Sequence, residues 1–228
     1  KMRYTFNSTY WNEELQHYKT PSYKDVPDDR AQAMAVLAGF VPKERYETVR
    51  QFFTQYYNAS PYMEKYVLEA LCVMGYYEDA LKRMEQRFGE MVASHYSTLW
   101  EGWEYTGGRG MKYKSGNGTY NHAWSGGGLT ILSQYIAGIA PIEPAFKRFS
   151  VSPNLATLQF VESVVPTIFG NIEMRAERVD SQLIMTLTVP QGTTAQVVAP
   201  QGYSVLECNG VHAPELTLSQ GKYMIIAE

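Results

Sequence analysis

Residues 60–93 read SPYMEKYVLEALCVMGYYEDALKRMEQRFGEMVA, and this stretch decides the fold of the first part of the chain. Ser60-Pro61 is typical of a helix start, and Gly75 stands where that helix would end. On both sides of Gly75 the apolar residues recur at intervals of three and four, as they do along one face of a helix. The stretch therefore predicts two helices joined by a short turn, which is an αα-hairpin.

The same arrangement precedes this hairpin in the chain. Asp28 is placed to cap a helix that ends at Gly39, and Pro42 opens the next helix. After a glycine-rich segment, residues 129–140 resume the helical pattern. We therefore expect stacked helical hairpins in a first domain that covers residues 1–143.

Beyond Pro141-Ile142-Glu143-Pro144 the hydrophobic period changes to two. Ile172, Met174 and Ala176 alternate with charged residues, which is typical of a strand with one buried face. Pro-Gln-Gly and Asn-Gly turns separate further short strands. The pattern predicts an antiparallel β-sandwich of about eight strands in residues 144–228. The fold class is therefore α followed by β, in two domains.

Composition argues against several classes of function. The chain has 228 residues, 45% hydrophobic residues and a net charge of -3, so it can bury a core but offers no basic surface for nucleic acid. Its uncharged stretches are too polar for a membrane span. The two cysteines and four histidines are scattered and match no metal or redox motif, so we assign no metal and no cofactor.

The residues that could carry chemistry cluster around a glycine-rich window. Residues 101–128 hold nine of the 18 glycines, and Glu101 is bracketed by Trp100 and Trp103. Asn121-His122-Ala123-Trp124 follows the glycines. Sugar rings stack their C–H faces on indole, and their hydroxyls bond to amide, imidazole and carboxylate groups. The pattern predicts a carbohydrate site, although core packing of the two tryptophans with a local ion pair of Glu101 explains the composition equally well.

Five blocks in this order resemble the C-terminal part of bacterial α-L-rhamnosidases of glycoside hydrolase family 78. The blocks are Asp28-Asp29-Arg30-Ala31-Gln32-Ala33, Tyr62-Met63-Glu64-Lys65-Tyr66-Val67-Leu68-Glu69-Ala70-Leu71, Thr98-Leu99-Trp100-Glu101-Gly102-Trp103, Asn121-His122-Ala123-Trp124-Ser125 and Ala137-Gly138-Ile139-Ala140-Pro141. The resemblance covers nearly the whole chain. It implies the second half of an (α/α)6 barrel, and hence an incomplete barrel, followed by the C-terminal β-sandwich of the family.

The resemblance also implies a reaction, the inverting hydrolysis of terminal α-L-rhamnose from a glycoside or polysaccharide. In such enzymes one carboxylic acid protonates the leaving oxygen, and a carboxylate roughly 6.5–9.5 Å away activates water on the opposite face. Glu101 falls at the general base of the family, and His122 after Asn121 falls at a contact to a sugar hydroxyl. Trp100, Trp103 and Trp124 are the candidates for the wall against the sugar.

The general acid of the family lies in an earlier segment that has no matching block here. We therefore expect the upstream part of the same parent chain to supply it, and we expect this chain alone to be inactive. The internal candidates are Glu13, Glu14, Asp28 and Asp29. Asp28 is better explained as a helix cap, whereas Asp29 and Arg30 are expected to reach the pocket. Glu104 is too close to Glu101 to act from the opposite face.

Two other functions remain open at this stage. One is a non-catalytic carbohydrate-binding module, and the other is a helical-barrel glycosidase of the glucosidase or trehalase type. An incomplete barrel would expose apolar hairpin faces, so we also expect self-association through the exposed barrel edge. Periplasm and cytoplasm are both compatible with the sequence.

Overall fold

The computed structural model describes residues 1–24, 28–103, 111–113 and 116–228. The chain divides into two compact units, Lys1–Leu129 and Thr130–Glu228. The sequence places the boundary later, between residues 143 and 144. The difference arises because Ile139–Pro141 is a strand that pairs with Arg148–Val151 and so lies with the β unit.

The first unit is mainly helical. Its helices are α1 (Met2–Tyr10), α2 (Asp29–Leu37), α3 (Tyr46–Gln55), α4 (Pro61–Val73) and α5 (Tyr77–Ala93). The short helix α6 (Gly127–Ile131) begins in this unit and ends in the second one. Two short antiparallel ribbons accompany the helices, β1 (Trp11–Asn12) with β2 (His17–Tyr18) and β3 (Met111–Tyr113) with β4 (Gly116–Gly118). The αα-hairpin predicted for residues 60–93 is present as α4 and α5.

Helix ends in this unit follow from local chemistry. The Asp28 side chain accepts a hydrogen bond from the Arg30 backbone N–H at the start of α2, at 2.9 Å. The Ser60 side chain accepts one from the Met63 N–H at the start of α4, where Pro61 occupies the first helical position. After α4 the chain turns at Gly75, whose φ of +91° suits a residue without a Cβ.

The second unit is a β-sandwich. Its strands are β5 (Ile139–Pro141), β6 (Arg148–Val151), β7 (Phe160–Thr167), β8 (Gly170–Val179), β9 (Gln182–Val189), β10 (Thr194–Val198), β11 (Leu206–Cys208), β12 (Val211–Ala213), β13 (Glu215–Leu218) and β14 (Gly221–Ala227). They form one sheet in the order β13-β10-β6-β5 and another in the order β12-β11-β14-β9-β8-β7. The pairing is antiparallel except between β6 and β10, which run parallel. The alternation seen in the sequence fits this layout, and the predicted order of α followed by β is confirmed.

The core of the sandwich lies between its two sheets. Ile172, Met174 and Leu187 of the larger sheet and Phe149 and Val197 of the smaller one belong to a single buried cluster. The alternate residues of β8 face outward, as period two requires. Burial of both inner faces in one cluster is what makes this unit a sandwich.

Proline stands at the borders of both sheets. β7 and β12 border the larger sheet, and β5 and β13 border the smaller one. Pro166 lies within β7 and Pro141 within β5, while Pro214 separates β12 from β13. Proline has no N–H to donate, and sheets tolerate it chiefly at their edges.

Candidate active site

Two segments that are distant in sequence lie side by side in the helical unit. The Glu101 backbone N–H donates to the Thr119 carbonyl at 2.9 Å, and the His122 N–H donates to the Leu99 carbonyl at 2.9 Å. The Thr98 hydroxyl donates to the Tyr120 carbonyl. This backbone pairing brings the Trp-Glu-Gly-Trp segment next to the Asn-His-Ala-Trp segment.

The Glu101 carboxylate sits beside the His122 imidazole. Its Oε2 accepts hydrogen bonds from the Thr119 N–H at 3.0 Å and from the Thr119 hydroxyl at 3.3 Å, and it lies 3.5 Å from His122 Nδ1. The Thr119 hydroxyl is 2.8 Å from the same nitrogen. The Glu101 side chain is 24% exposed and that of His122 is 28% exposed. A positioned carboxylate with this access can take a proton from a water molecule.

Trp124 extends the site as an exposed aromatic surface. It is 47% exposed, and its ring centroid lies 4.3 Å from that of His122. The centroid of the Trp124 ring also lies 5.2 Å from that of Tyr62, which is 41% exposed. Asn121 is exposed next to His122. The structure therefore brings together Glu101, Asn121, His122 and Trp124 of the predicted site.

Tyr62 belongs to this aromatic surface, although the sequence analysis does not single it out as a site residue. The buried residues of α4 include Glu64, Val67, Leu68 and Leu71, so the buried face excludes Tyr62. Helical periodicity carries this signal, because Tyr62 lies five positions before Val67 and therefore well off the face that Val67 and Leu71 share.

Trp103 holds the segment after Glu101 in place. Its indole N–H donates to the Ala59 carbonyl at 2.7 Å. Its ring meets Phe88 edge to face, with centroids 5.0 Å apart, and the Arg87 guanidinium lies 4.1 Å from its centroid. Trp103 is partly buried, so it combines this structural role with a residual exposed surface.

Trp100 does not lie where the sequence analysis expects it, in the wall against the sugar. It is fully buried, and its carbonyl accepts a hydrogen bond of 2.6 Å from the buried Ser125 hydroxyl. Its ring packs edge to face on Tyr120 with centroids 5.7 Å apart. Core packing therefore explains Trp100, and we leave it out of the proposed site.

Asp29 and Arg30 also depart from expectation. Asp29 is fully buried, with its Oδ2 at 2.7 Å from Arg83 Nη2. Arg30 turns back to Asp28, with Arg30 Nη2 at 2.5 Å from Asp28 Oδ2. Burial opposes the charge of Asp28, but hydrogen bonds from Arg30 outweigh it and lower the pKa of Asp28. Local ion pairing thus explains the Asp-Asp-Arg block, and neither Asp29 nor Arg30 belongs to the site around Glu101.

The buried ion pairs of the helical unit form a network, which we call the Glu64 network and define as Asp29, Glu64, Arg83 and Arg87. Glu64 Oε1 lies 2.5 Å from Arg83 Nε, and Glu64 Oε2 lies 3.4 Å from Arg87 Nε. The Arg87 Nη2 donates to the Ala59 carbonyl at 2.5 Å, the same oxygen that binds Trp103. The network therefore ties α2, α4 and α5 to the segment that follows Glu101.

Electrostatics of this network follow from burial and pairing. Burial disfavours the charge of Arg83, but hydrogen bonds to Glu64 outweigh it and raise the pKa of Arg83. For Arg87 burial prevails over its attraction to Glu64 and lowers the pKa. Two carboxylates and two guanidinium groups balance in formal charge, which is what allows the cluster to be buried.

The prediction on Glu104, together with part of the glycine-rich window, falls outside the described residues. Within the residues that the structure describes, no group of three His, Cys, Asp or Glu side chains is arranged to hold a metal ion. In the same residues, no helix has the length and apolar character needed to cross a membrane.

Comparison with known sequences identifies relatives of this chain. Residues 138–210 match the family described as the bacterial alpha-L-rhamnosidase C-terminal domain. An alpha-L-rhamnosidase of Alteromonas sp. (strain LOR) is 31% identical over 112 residues, which cover 48% of this chain and 12% of that protein. The match therefore spans about an eighth of the length of this relative.

Solved structures extend the likeness to the whole chain. The alpha-L-rhamnosidase from Dictyoglumus thermophilum superposes with a TM-score of 0.79 at 19% identity, covering 100% of this chain and 28% of that one. The Streptomyces avermitilis alpha-L-rhamnosidase complexed with L-rhamnose gives a TM-score of 0.76 at 17% identity, covering 100% and 23%. At these identities the likeness establishes the fold, helical hairpins followed by a β-sandwich. The predicted resemblance to the C-terminal part of bacterial α-L-rhamnosidases is confirmed, and the chain is related to this group of glycoside hydrolases.

Proposed function

We propose that this chain is the C-terminal portion of an inverting hydrolase that releases terminal α-L-rhamnose from a glycoside or polysaccharide. The observation that carries the proposal is the accessible Glu101 carboxylate at 3.5 Å from His122, beside the exposed ring of Trp124. The resemblance to α-L-rhamnosidases, one of which was solved with L-rhamnose, supports the choice of sugar.

In this proposal Glu101 is the general base. Its carboxylate accepts a proton from water while the water oxygen bonds to the anomeric carbon and the glycosidic bond breaks on the opposite face. Two hydrogen bonds from Thr119 to Oε2 keep the carboxylate in a fixed orientation. His122 and Asn121 bind sugar hydroxyls, and Trp124, with the exposed part of Trp103, supplies the apolar wall.

The general acid comes from an upstream part of the same parent chain. Among the internal candidates, Asp29 is buried against Arg83, and Asp28 caps α2 and pairs with Arg30. Glu13 is 77% exposed and lies 3.4 Å from Arg45, and Glu14 is exposed in the same turn. These environments suit capping and ion pairing, and none of the four carboxyl groups belongs to the cluster formed by Glu101, His122 and Trp124.

Hydrolysis by the parent protein tests the role of Glu101. With an aryl α-L-rhamnoside we expect NMR to show release of the inverted sugar, and we expect Glu101→Gln to lower kcat by roughly 10²- to 10⁴-fold. Glu90→Gln is the matched control, since Glu90 is an exposed carboxylate of α5. Activity of Glu101→Gln within a few-fold of wild type would refute the assignment of the base.

Activity of the 228-residue chain tests the origin of the acid. We expect the folded chain to bind L-rhamnose without hydrolysing the aryl glycoside. Hydrolysis by this chain alone would place the acid within it and refute an upstream source. A non-catalytic binding module predicts a different result, namely sugar binding that is insensitive to Glu101→Gln and no hydrolysis by the parent protein.

A further inference from the structure

We propose that Tyr62 and Trp124 form an aromatic platform that binds the planar aromatic aglycone of an α-L-rhamnoside. The proposal rests on the proposed function, in which the rhamnose ring contacts Glu101, Asn121 and His122 and packs against only part of the Trp124 ring. It adds a second subsite and names the chemical class of the group that occupies it.

The two rings of the platform form one open surface. Their centroids are 5.2 Å apart and their planes meet at 33°, so they lie closer to parallel than to perpendicular. Tyr62 is 41% exposed and Trp124 is 47% exposed. Together they offer more aromatic surface than one sugar ring covers, which leaves room for a second ring of the substrate.

Both rings are held by ordered elements. Tyr62 lies in the first turn of α4, directly after the Ser60 cap and Pro61, and its ring contacts Tyr66 at a centroid distance of 5.9 Å. Trp124 lies in the 3-10 turn Ala123–Gly126, which the buried Ser125 fastens to the Trp100 carbonyl. A platform fixed before binding loses little conformational entropy when a ligand stacks on it.

The chemistry of the platform favours an aromatic ring over a further sugar. A sugar ring needs partners for its hydroxyls, whereas a planar aryl ring needs only stacking surface. The Tyr62 hydroxyl already shares a hydrogen bond with Tyr66, and this bond raises the pKa of Tyr62. The exposed faces of the platform are therefore mainly apolar.

The platform adjoins the proposed sugar site through His122. This imidazole lies 3.5 Å from the Glu101 carboxylate and 4.3 Å, between ring centroids, from Trp124. A ligand whose sugar ring contacts His122 can therefore place an attached aryl ring against Trp124. The subsite would thus distinguish aryl rhamnosides from alkyl rhamnosides.

Binding to the 228-residue chain tests this subsite without relying on catalysis. We would measure dissociation constants of 4-nitrophenyl α-L-rhamnoside and methyl α-L-rhamnoside by calorimetry, after checking folding by circular dichroism. A stacking contribution of about 0.5–1.5 kcal/mol predicts about 2- to 10-fold tighter binding of the aryl glycoside. Trp124→Ala and Tyr62→Ala should remove this preference, and Tyr62→Phe should retain it.

Tyr4→Ala is the matched control, because Tyr4 is a 79% exposed aromatic residue of α1. Equal affinities for the two glycosides in the wild type, or an aryl preference that survives Trp124→Ala, would overturn the platform. If the platform is overturned but Glu101→Gln or His122→Ala weakens the binding of both glycosides equally, the proposed function still stands. Failure of the folded chain to bind either glycoside would contradict both proposals.

Discussion

Replacing Glu64 by Gln tests the buried charge network that supports the site. The substitution keeps the shape of the side chain and removes its charge, so the pair between Glu64 Oε1 and Arg83 Nε at 2.5 Å is lost, as is the pair with Arg87. Glu64 is fully buried and Arg83 is 4% exposed, so water cannot replace the lost partner.

The magnitude follows from what Arg83 retains. Removing one partner of a buried ion pair costs about 3–5 kcal/mol. Arg83 still lies 2.7 Å from Asp29 and donates to the carbonyls of Phe53 and Tyr56 at 2.6 and 3.0 Å. We therefore expect the lower end of this range, about 3 kcal/mol less free energy of unfolding for the helical unit.

Urea unfolding followed by the helical circular dichroism signal measures this loss. With slopes of about 1–3 kcal/mol per molar urea, the midpoint should fall by about 1–3 M. Glu47→Gln is the control, because Glu47 pairs with Arg50 at 2.8 Å while 52% exposed and should cost at most about 1 kcal/mol. A loss below about 1 kcal/mol for Glu64→Gln would refute our account of the network.

Four further predictions concern other parts of the chain. Because the pKa of Asp28 is lowered from its ordinary value of 3.8, the stability that its charge contributes is present above that pH and lost as the pH falls through the lowered pKa. Unfolding free energies of wild type and Asp28→Asn, which keeps a capping side chain, should therefore differ at neutral pH and converge in strong acid; a constant difference would contradict this. Burial raises the pKa of Cys72 to about 12, so the folded chain should not react at Cys72 with a thiol reagent at neutral pH, whereas the urea-unfolded chain should. Gly138→Ala should destabilise the sandwich by several kcal/mol in thermal unfolding, because its φ is +70° and a Cβ would lie 2.1 Å from the Ser152 carbonyl oxygen. The helical unit exposes apolar side chains such as Val92, 80% exposed, so sedimentation should show concentration-dependent association, and a monomer at every concentration would contradict it.

Local signals in the sequence sufficed for much of the fold. Helix ends at Asp28, Ser60 and Gly75 depend on side-chain caps and on a positive φ, which neighbouring residues determine. The outward and inward positions of β8 follow from its period of two. The sequence assigns residues 139 and 140 to a helix and Pro141 to a linker, whereas the structure has them in β5, because the partner strand β6 gives them a sheet to join only in the folded chain.

The candidate site was less accessible to sequence reasoning because its residues meet through long-range contacts. Trp100 and Trp103 look alike in sequence, yet one is fully buried and the other partly buried. Asp29 resembles a polar surface residue until Arg83, 54 positions later, is seen beside it. Tyr62 becomes part of the site only because Trp124 packs on it. Motifs can nominate the carboxylate and the imidazole, but only the fold selects which aromatic rings accompany them.

The prolines at the sheet borders affect how copies of this chain associate at high concentration. An open border invites a strand from another molecule, and repetition of that step builds fibrils. Pro166 and Pro141 each withdraw a hydrogen-bond donor from a border strand, and Pro214 interrupts the chain beside the other two borders. Growth by strand addition is thereby disfavoured at β5 and at the Pro166 end of β7. Association of the chain should therefore begin among the exposed apolar side chains of the helices rather than at these strands.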